Sequence, residues 1–172
     1  SYIYDHQPTS ALHLDALVVP SQTENEFIVT GSTISATPIN RSVGTIFAVK
    51  IDFSGREIWA NNYNNTVIDP DFPDVNRVSD MTYDSLTETF VIVGTTFVHV
   101  PRIHNCPYPT GYYYAIFVMS INTDGSIATN YKRLDAEQSF SEAYPVILSH
   151  RGDYILAYND IKKMGFKIVS NN

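Results

Sequence analysis

Short runs of alternating apolar and polar residues, separated by turn-forming residues, recur along the chain. In Ile46-Phe47-Ala48-Val49-Lys50-Ile51-Asp52, Phe47, Val49 and Ile51 fall on one side of an extended backbone. Ala48 and Lys50 fall on the other, because successive side chains of a strand point to opposite faces. Four such runs open the chain, at 16–19, 26–31, 46–52 and 57–63. Ser54-Gly55 and Asp124-Gly125 stand where strand hairpins need residues that tolerate unusual backbone angles. Arg151-Gly152-Asp153 has the same character, so this integrin-type tripeptide reads as a turn. No stretch combines helical periodicity with caps at both ends. The longer joins, 32–45, 64–77 and 97–112, hold most of the prolines.

The runs return in register. Phe27-Ile28-Val29-Thr30-Gly31-Ser32-Thr33 is echoed by Phe90-Val91-Ile92-Val93-Gly94-Thr95-Thr96 and, without the glycine, by Tyr154-Ile155-Leu156-Ala157-Tyr158-Asn159. The run from Ile46 to Gly55 is echoed from Ile116 to Gly125, and a shortened version spans Gly165 to Asn172. A weaker run precedes each copy, at 16–19, 79–83 and 143–148. The pattern predicts three four-stranded antiparallel units, about 14–63, 78–134 and 141–172. A four-stranded unit of about 60 residues has the length and strand count of a β-propeller blade. One such sheet has two half-apolar faces and is unstable alone, so stacking must bury both. The expected fold class is therefore all-β, with propeller blades and an incomplete third unit; the alternative is a β-sandwich.

These residues resemble the propeller repeats of exported bacterial proteins, Bacteroidetes-like in their order of Gly31, Asp52, Gly55, Trp59 and Tyr63. The second unit follows through Gly94, Asn122, Gly125 and Tyr131 but lacks the tryptophan. The resemblance implies a propeller, an exported protein and a place outside the cell or at its surface; it implies no particular activity. Quinoprotein repeats are excluded by the spacing of Asp52, Gly55 and Trp59, and sialidase-type Asp boxes by the distance between Asp and Gly. Three units are too few to close a ring. A homo-oligomer or the remainder of a longer chain is expected to complete it, with residues 1–13, through Tyr2-Ile3-Tyr4, as a closing strand.

Composition sharpens this picture. Ile and Val far outnumber Leu, and twelve tyrosines bring the aromatic fraction to 13%, as strands prefer. The hydrophobic fraction of 44% argues against disorder. A length of 172 residues suits one domain. The net charge of −7, with only 11 scattered Lys and Arg, excludes a phosphate-tracking surface and so a nucleic-acid partner. No apolar run approaches the length of about 20 residues that a membrane helix needs. The single cysteine, Cys106, forms no internal disulfide.

Candidate chemistry is sparse. Tyr108, Tyr112 and Tyr113, beside Pro107 and Pro109, form an aromatic stretch suited to a protein or glycan partner; Tyr114 follows them. Asn40 and Asn64 head N-x-[ST] triplets and are candidate glycosylation sites. His99, His104 and Cys106 share one join, but their spacing fits no standard metal motif. Asp69, Asp71, Asp74 and Asp80, with Asn76, are oxygen ligands of a kind calcium takes, without the Gly and terminal Glu of a calcium loop. No metal site and no cofactor are assigned. Nucleophile-elbow, zincin, phosphate-loop and dinucleotide motifs are absent. Asp52, Glu57 and Asp80 are the carboxylates available to a glycan-active enzyme. The expected function is non-catalytic: a secreted or cell-surface scaffold that meets a protein or glycan through its inter-strand loops. The alternatives are a structural subunit that assembles by terminal strand exchange, and a glycan-active enzyme domain.

Overall fold

A computed structural model describes residues 11–21, 25–36, 42–63, 75–100, 111–134, 146–150, 153–160 and 163–170. All regular structure among them is strand. The first sheet is antiparallel, in the order β1 (Ala11–Pro20), β2 (Glu26–Ala36), β3 (Ser42–Asp52), β4 (Glu57–Tyr63). The second is β5 (Val75–Asp84), β6 (Thr89–Val100), β7 (Gly111–Asn122), β8 (Ile127–Leu134), again antiparallel throughout. A single parallel bridge, Gly44 to Val75, links β3 to β5 beyond the end of β4. A third, three-stranded sheet is built from β9 (Val146–His150), β10 (Asp153–Asp160) and β11 (Lys163–Ser170). Its β9 lies beside β5.

The predicted strand at 57–63 has the bounds of β4, whereas β2 and β3 run on to Ala36 and back to Ser42. That extension takes in much of the join expected at 32–45. The reason is compositional: Ser32, Thr33, Ile34 and Ser35 are polar or β-branched but fully competent to pair, and they pair with Ile46, Thr45, Gly44 and Val43.

The core lies between the first two sheets. Ile28, Ile46 and Ala48 of the first pack against Val78, Met81, Phe90, Ile92, Phe117, Met119 and Ile121 of the second. Tyr83 stacks at a tilt on Phe90, with ring centroids 4.9 Å apart. Two polar groups caught in the seam are paired, whereas the fully buried Thr96 hydroxyl has no hydrogen-bond partner among the described residues. The Ser32 hydroxyl accepts the Val78 N–H at 2.7 Å, and the Thr30 hydroxyl donates to the Phe47 carbonyl at 2.8 Å. Val78 is free to donate sideways because a bulge between Val78 and Asp80 interrupts the β5–β6 ladder.

This arrangement corrects the propeller expectation. Two four-stranded antiparallel sheets pack against each other as in a sandwich, and they are not closed into a ring. A ring leaves no outermost sheet face. Here the far side of the first sheet is open, with Val18 60% and Ile58 44% exposed. The matched segments do occupy like positions, Phe27–Thr33 in β2 and Phe90–Thr96 in β6. Their likeness produces two similar sheets laid face to face; it does not produce a ring of repeated blades. Tyr2-Ile3-Tyr4, expected to supply a closing strand, lies outside the described residues.

Candidate functional site

The open side of the first sheet is the most unusual surface among the described residues. Val18, Val29, Val49 and Ala60 form one cross-strand row, and Phe27 and Ile51 are paired in the next. Phe47 lies beside Gly31 in the row on the other side. Phe27, Val29, Phe47 and Ile51 are half-buried, while Val49, at the centre, is buried. The alternation of β3 is thus inverted relative to ordinary burial. Its apolar side, Phe47 and Ile51, faces outward, and Ala48 and Lys50 lie in the interior. Lys50 is held there by an ion pair with Glu26 at 2.6 Å. Its aliphatic stem suits an apolar setting while the ammonium reaches its partner.

The opposite condition holds in the second sheet. Phe90, Ile92, Phe117, Met119 and Ile121 face the first sheet and are fully buried. Val91, Val93, Ile116 and Val118, on the other face, are buried too. Both faces of the second sheet are buried, whereas one face of the first is half-buried around Val49 and exposed at Val18 and Ile58.

The strand β4 fastens the two sheets at one margin. Trp59, Asn61 and Tyr63 alternate along it and share a side. The Trp59 indole N–H donates to the Thr123 carbonyl at 3.1 Å. The Asn61 amide and the Tyr63 hydroxyl both donate to the Gly125 carbonyl, at 3.0 and 2.8 Å. They meet a turn whose shape is set locally. Gly125 has φ +83° and donates its N–H to the Asn122 carbonyl at 3.0 Å, a type I turn closed by a left-handed glycine. The β3–β4 turn is built alike: Gly55 has φ +84° and donates to the Asp52 carbonyl. Asp52 Oδ1 accepts the Ser54 hydroxyl and the Ser54 and Arg56 N–H groups. The Ser54 hydroxyl, then the Arg56 N–H, hold the Asp52 carboxyl below the usual range. Asp124 is lowered in the same way, first by the Ser126 hydroxyl.

Burial pushes the Tyr63 hydroxyl up to about 12, with Asp124 adding to the rise and the Asn61 hydrogen bond opposing it. A raised folded value means that this tyrosine favours the fold below about pH 10 and withdraws that support as pH climbs toward 12. Tyr63→Phe is expected to cost only about 1 kcal/mol, because Asn61 still satisfies the Gly125 carbonyl. Combining it with Asn61→Ala leaves that carbonyl without either donor, so the double variant should lose more than the sum of the singles. Urea melts followed through Trp59, the single tryptophan, measure both; strict additivity would show that the shared carbonyl does not couple them.

The residues singled out from the sequence are distributed as follows. Tyr112 and Tyr113 lie on β7, paired with His99 and Val98 of β6. Tyr108, His104 and Cys106 lie outside the described residues, as do Asn40, Asn64, Asp69, Asp71 and Asp74. Arg151 and Gly152 also lie outside them, and Asp153 opens β10. Asn76 is buried on β5. Among the carboxylates suggested for an enzyme, Asp52 serves its turn, Glu57 opens β4, and Asp80 caps the Met81 N–H. Among the described residues no group of three or more His, Cys, Asp or Glu is placed to hold a metal ion. Among the described residues no helix is long and apolar enough to cross a membrane, which says nothing of strands. The open sheet face was not singled out in advance. Its signal was the apolar character of both sides of β2 and β3.

No family model matches the chain, and no curated protein and no solved structure matches it. The resemblance to exported bacterial propeller proteins therefore finds no support in known proteins, and the open stack of sheets contradicts it.

Proposed function

We propose that this protein is a non-catalytic structural module that docks on a partner β-sheet through the open face of its first sheet. The observation that carries the reading is the contrast between two like faces. Phe27, Val29 and Phe47 are only half-buried, around a buried Val49, while the matching Phe90, Ile92 and Phe117 of the second sheet are fully buried against a sheet. Monomers seldom expose a contiguous apolar patch of more than a few hundred Å², and larger ones mark interaction sites. The aromatic join at 101–110 is a weaker basis for partner binding, since nothing described distinguishes it.

The test uses an apolar fluorescent dye with dilute protein. Wild-type protein should bind the dye, and Val29→Lys should abolish most of that binding while shifting stability by no more than about 1 kcal/mol, the span of strand propensity. Failure of wild type to bind the dye, or collapse of the fold in Val29→Lys, would sink the reading, because the face would then be closed or part of the core.

A further inference from the structure

We infer that the hairpin-turn end of the two stacked sheets is a second docking surface, and that it takes a cationic protein segment carrying apolar side chains. This surface is separate from the open sheet face and does not depend on it.

The backbone brings three turns to one end. Gly44 and Val75 stand side by side in parallel strands, so β3 and β5 leave that point in one direction. The β3–β4 turn (52–56) and the β5–β6 turn (84–88) therefore lie at the same end of the stack. The β7–β8 turn (122–126) joins them, because β5, β6 and β7 pair antiparallel in succession and β7 again runs with β5. The Trp59–Thr123 hydrogen bond ties that turn to β4. Packed sheets lie about 10 Å apart, and the two turns of the second sheet are two strand spacings apart, again about 10 Å. One partner can reach all three.

These turns carry apolar side chains that their own folding does not require. Phe53 is 78% exposed, Leu86 64%, and Ile127, just past the third turn, 50%. The two glycine turns are built alike, yet Thr123 stands in one where Phe53 stands in the other. A polar residue therefore suits that position. The charge around the tips has one sign. The three turns hold Asp52, Asp84, Glu88 and Asp124 against Arg56 alone, and Arg56 is paired with Asp52 at 3.1 Å. Glu88 is exposed, makes no hydrogen bond or ion pair among the described residues, and has φ +55°. The left-handed positions of the other two turns are Gly55 and Gly125, which adopt such angles freely. A glutamate is held there against its backbone preference, and nothing in the turn uses its carboxylate. Exposed apolar tips within an acidic rim complement a cationic partner with apolar side chains, and they repel an anionic lipid or nucleic-acid surface.

A fluorescent peptide of alternating lysine and leucine serves as the probe. Wild-type protein should bind it more tightly than the matching peptides with serine for leucine or glutamate for lysine. Phe53→Ser combined with Leu86→Ser should weaken that binding about tenfold or more, the weight of an apolar side chain withdrawn from an interface. Circular dichroism should be unchanged, because both side chains are exposed. Glu88→Gly should weaken binding roughly threefold, as loss of an exposed charge pair does, without lowering the melting temperature. Val29→Lys, on the open sheet face, should bind the peptide as wild type does. Loss of peptide binding in Val29→Lys overturns the proposal and leaves the docking reading of the sheet face standing. Equal binding by wild type and the double serine variant, or of the leucine and serine peptides, overturns it too, because the attraction would then be that of a chain of net charge −7 for any cation. Absence of peptide binding overturns it outright; wild type that instead binds phosphatidylcholine vesicles would assign the tips to a lipid surface.

Discussion

Gly94→Ala is expected to prevent the protein from reaching its native fold. Gly94 lies inside β6, between Val78 on one neighbouring strand and Phe117 on the other. A Cβ built there would stand 2.1 Å from the Arg77 carbonyl oxygen and 2.6 Å from the Phe117 ring. The backbone angle is not the obstacle; space is. A ring can rotate away, but the Arg77 carbonyl belongs to β5 at the approach to its bulge, and moving it means moving the strand. Overpacking in a well-filled core costs about 1–3 kcal/mol when side chains can yield. Here backbone must yield, so a loss above about 4 kcal/mol is expected, a large part of the roughly 5–15 kcal/mol that holds a domain together. Far-UV circular dichroism and a urea melt give the answer. A Gly94→Ala protein that melts within about 1 kcal/mol of wild type would show that β5 has room to move.

The same glycine shows what a sequence can and cannot disclose. At Gly94 a glycine within a β-branched run marks a close approach to the backbone, and Gly31 stands at the like position in β2. Strand number and hairpin positions were legible for similar reasons: Gly55 and Gly125 mark turns that need a left-handed residue, and alternation marks the strands between. The β5–β6 turn was less visible because it lacks a glycine. It is held by the Asp84 carboxylate, which accepts the Leu86 N–H and the Thr87 hydroxyl, and Glu88 takes the positive φ.

What alternation could not settle was which side of each strand is interior. In β3 the more apolar side, Phe47 and Ile51, is the open one, and Ala48 with Lys50 is covered. Period-two patterning separates two faces but does not rank them when a lysine can be neutralised by Glu26 and a small alanine leaves room for a neighbouring ring. Nor does patterning fix how many sheets stack or whether the stack closes. Four-stranded sheets with two apolar faces are equally good material for a ring and for an open pile. The difference lies in how the sheets meet, at contacts such as β4 against the Thr123–Gly125 turn, which join residues far apart in sequence. The aromatic join at 101–110 drew attention because exposed aromatics bind ligands. The apolar rows of the first sheet drew none because apolar strand residues are ordinarily assigned to a core.

Phe117→Ala is expected to be the costliest simple deletion in the seam, at about 3–5 kcal/mol. Phe117 is fully buried, and its ring lies over Gly94, where no side chain exists to fill a void. Cost in such series grows with the cavity that remains, and a glycine floor cannot relax upward. Phe117→Leu keeps most of the volume and should lose about 1–1.5 kcal/mol. The revealing variant is Gly94→Ala combined with Phe117→Ala. Removing the ring abolishes one of the two clashes and gives the new methyl group a cavity to occupy, which by volume alone should recover stability. The Arg77 carbonyl remains 2.1 Å from that methyl, so the double variant should be no more stable than Phe117→Ala alone. If the pair instead proves more stable than Phe117→Ala, the ring and not the β5 backbone is what demands glycine at this position. The close approach of β5 to β6 would then be a consequence of packing by Phe117, and the bulge between Val78 and Asp80 would not be its cause.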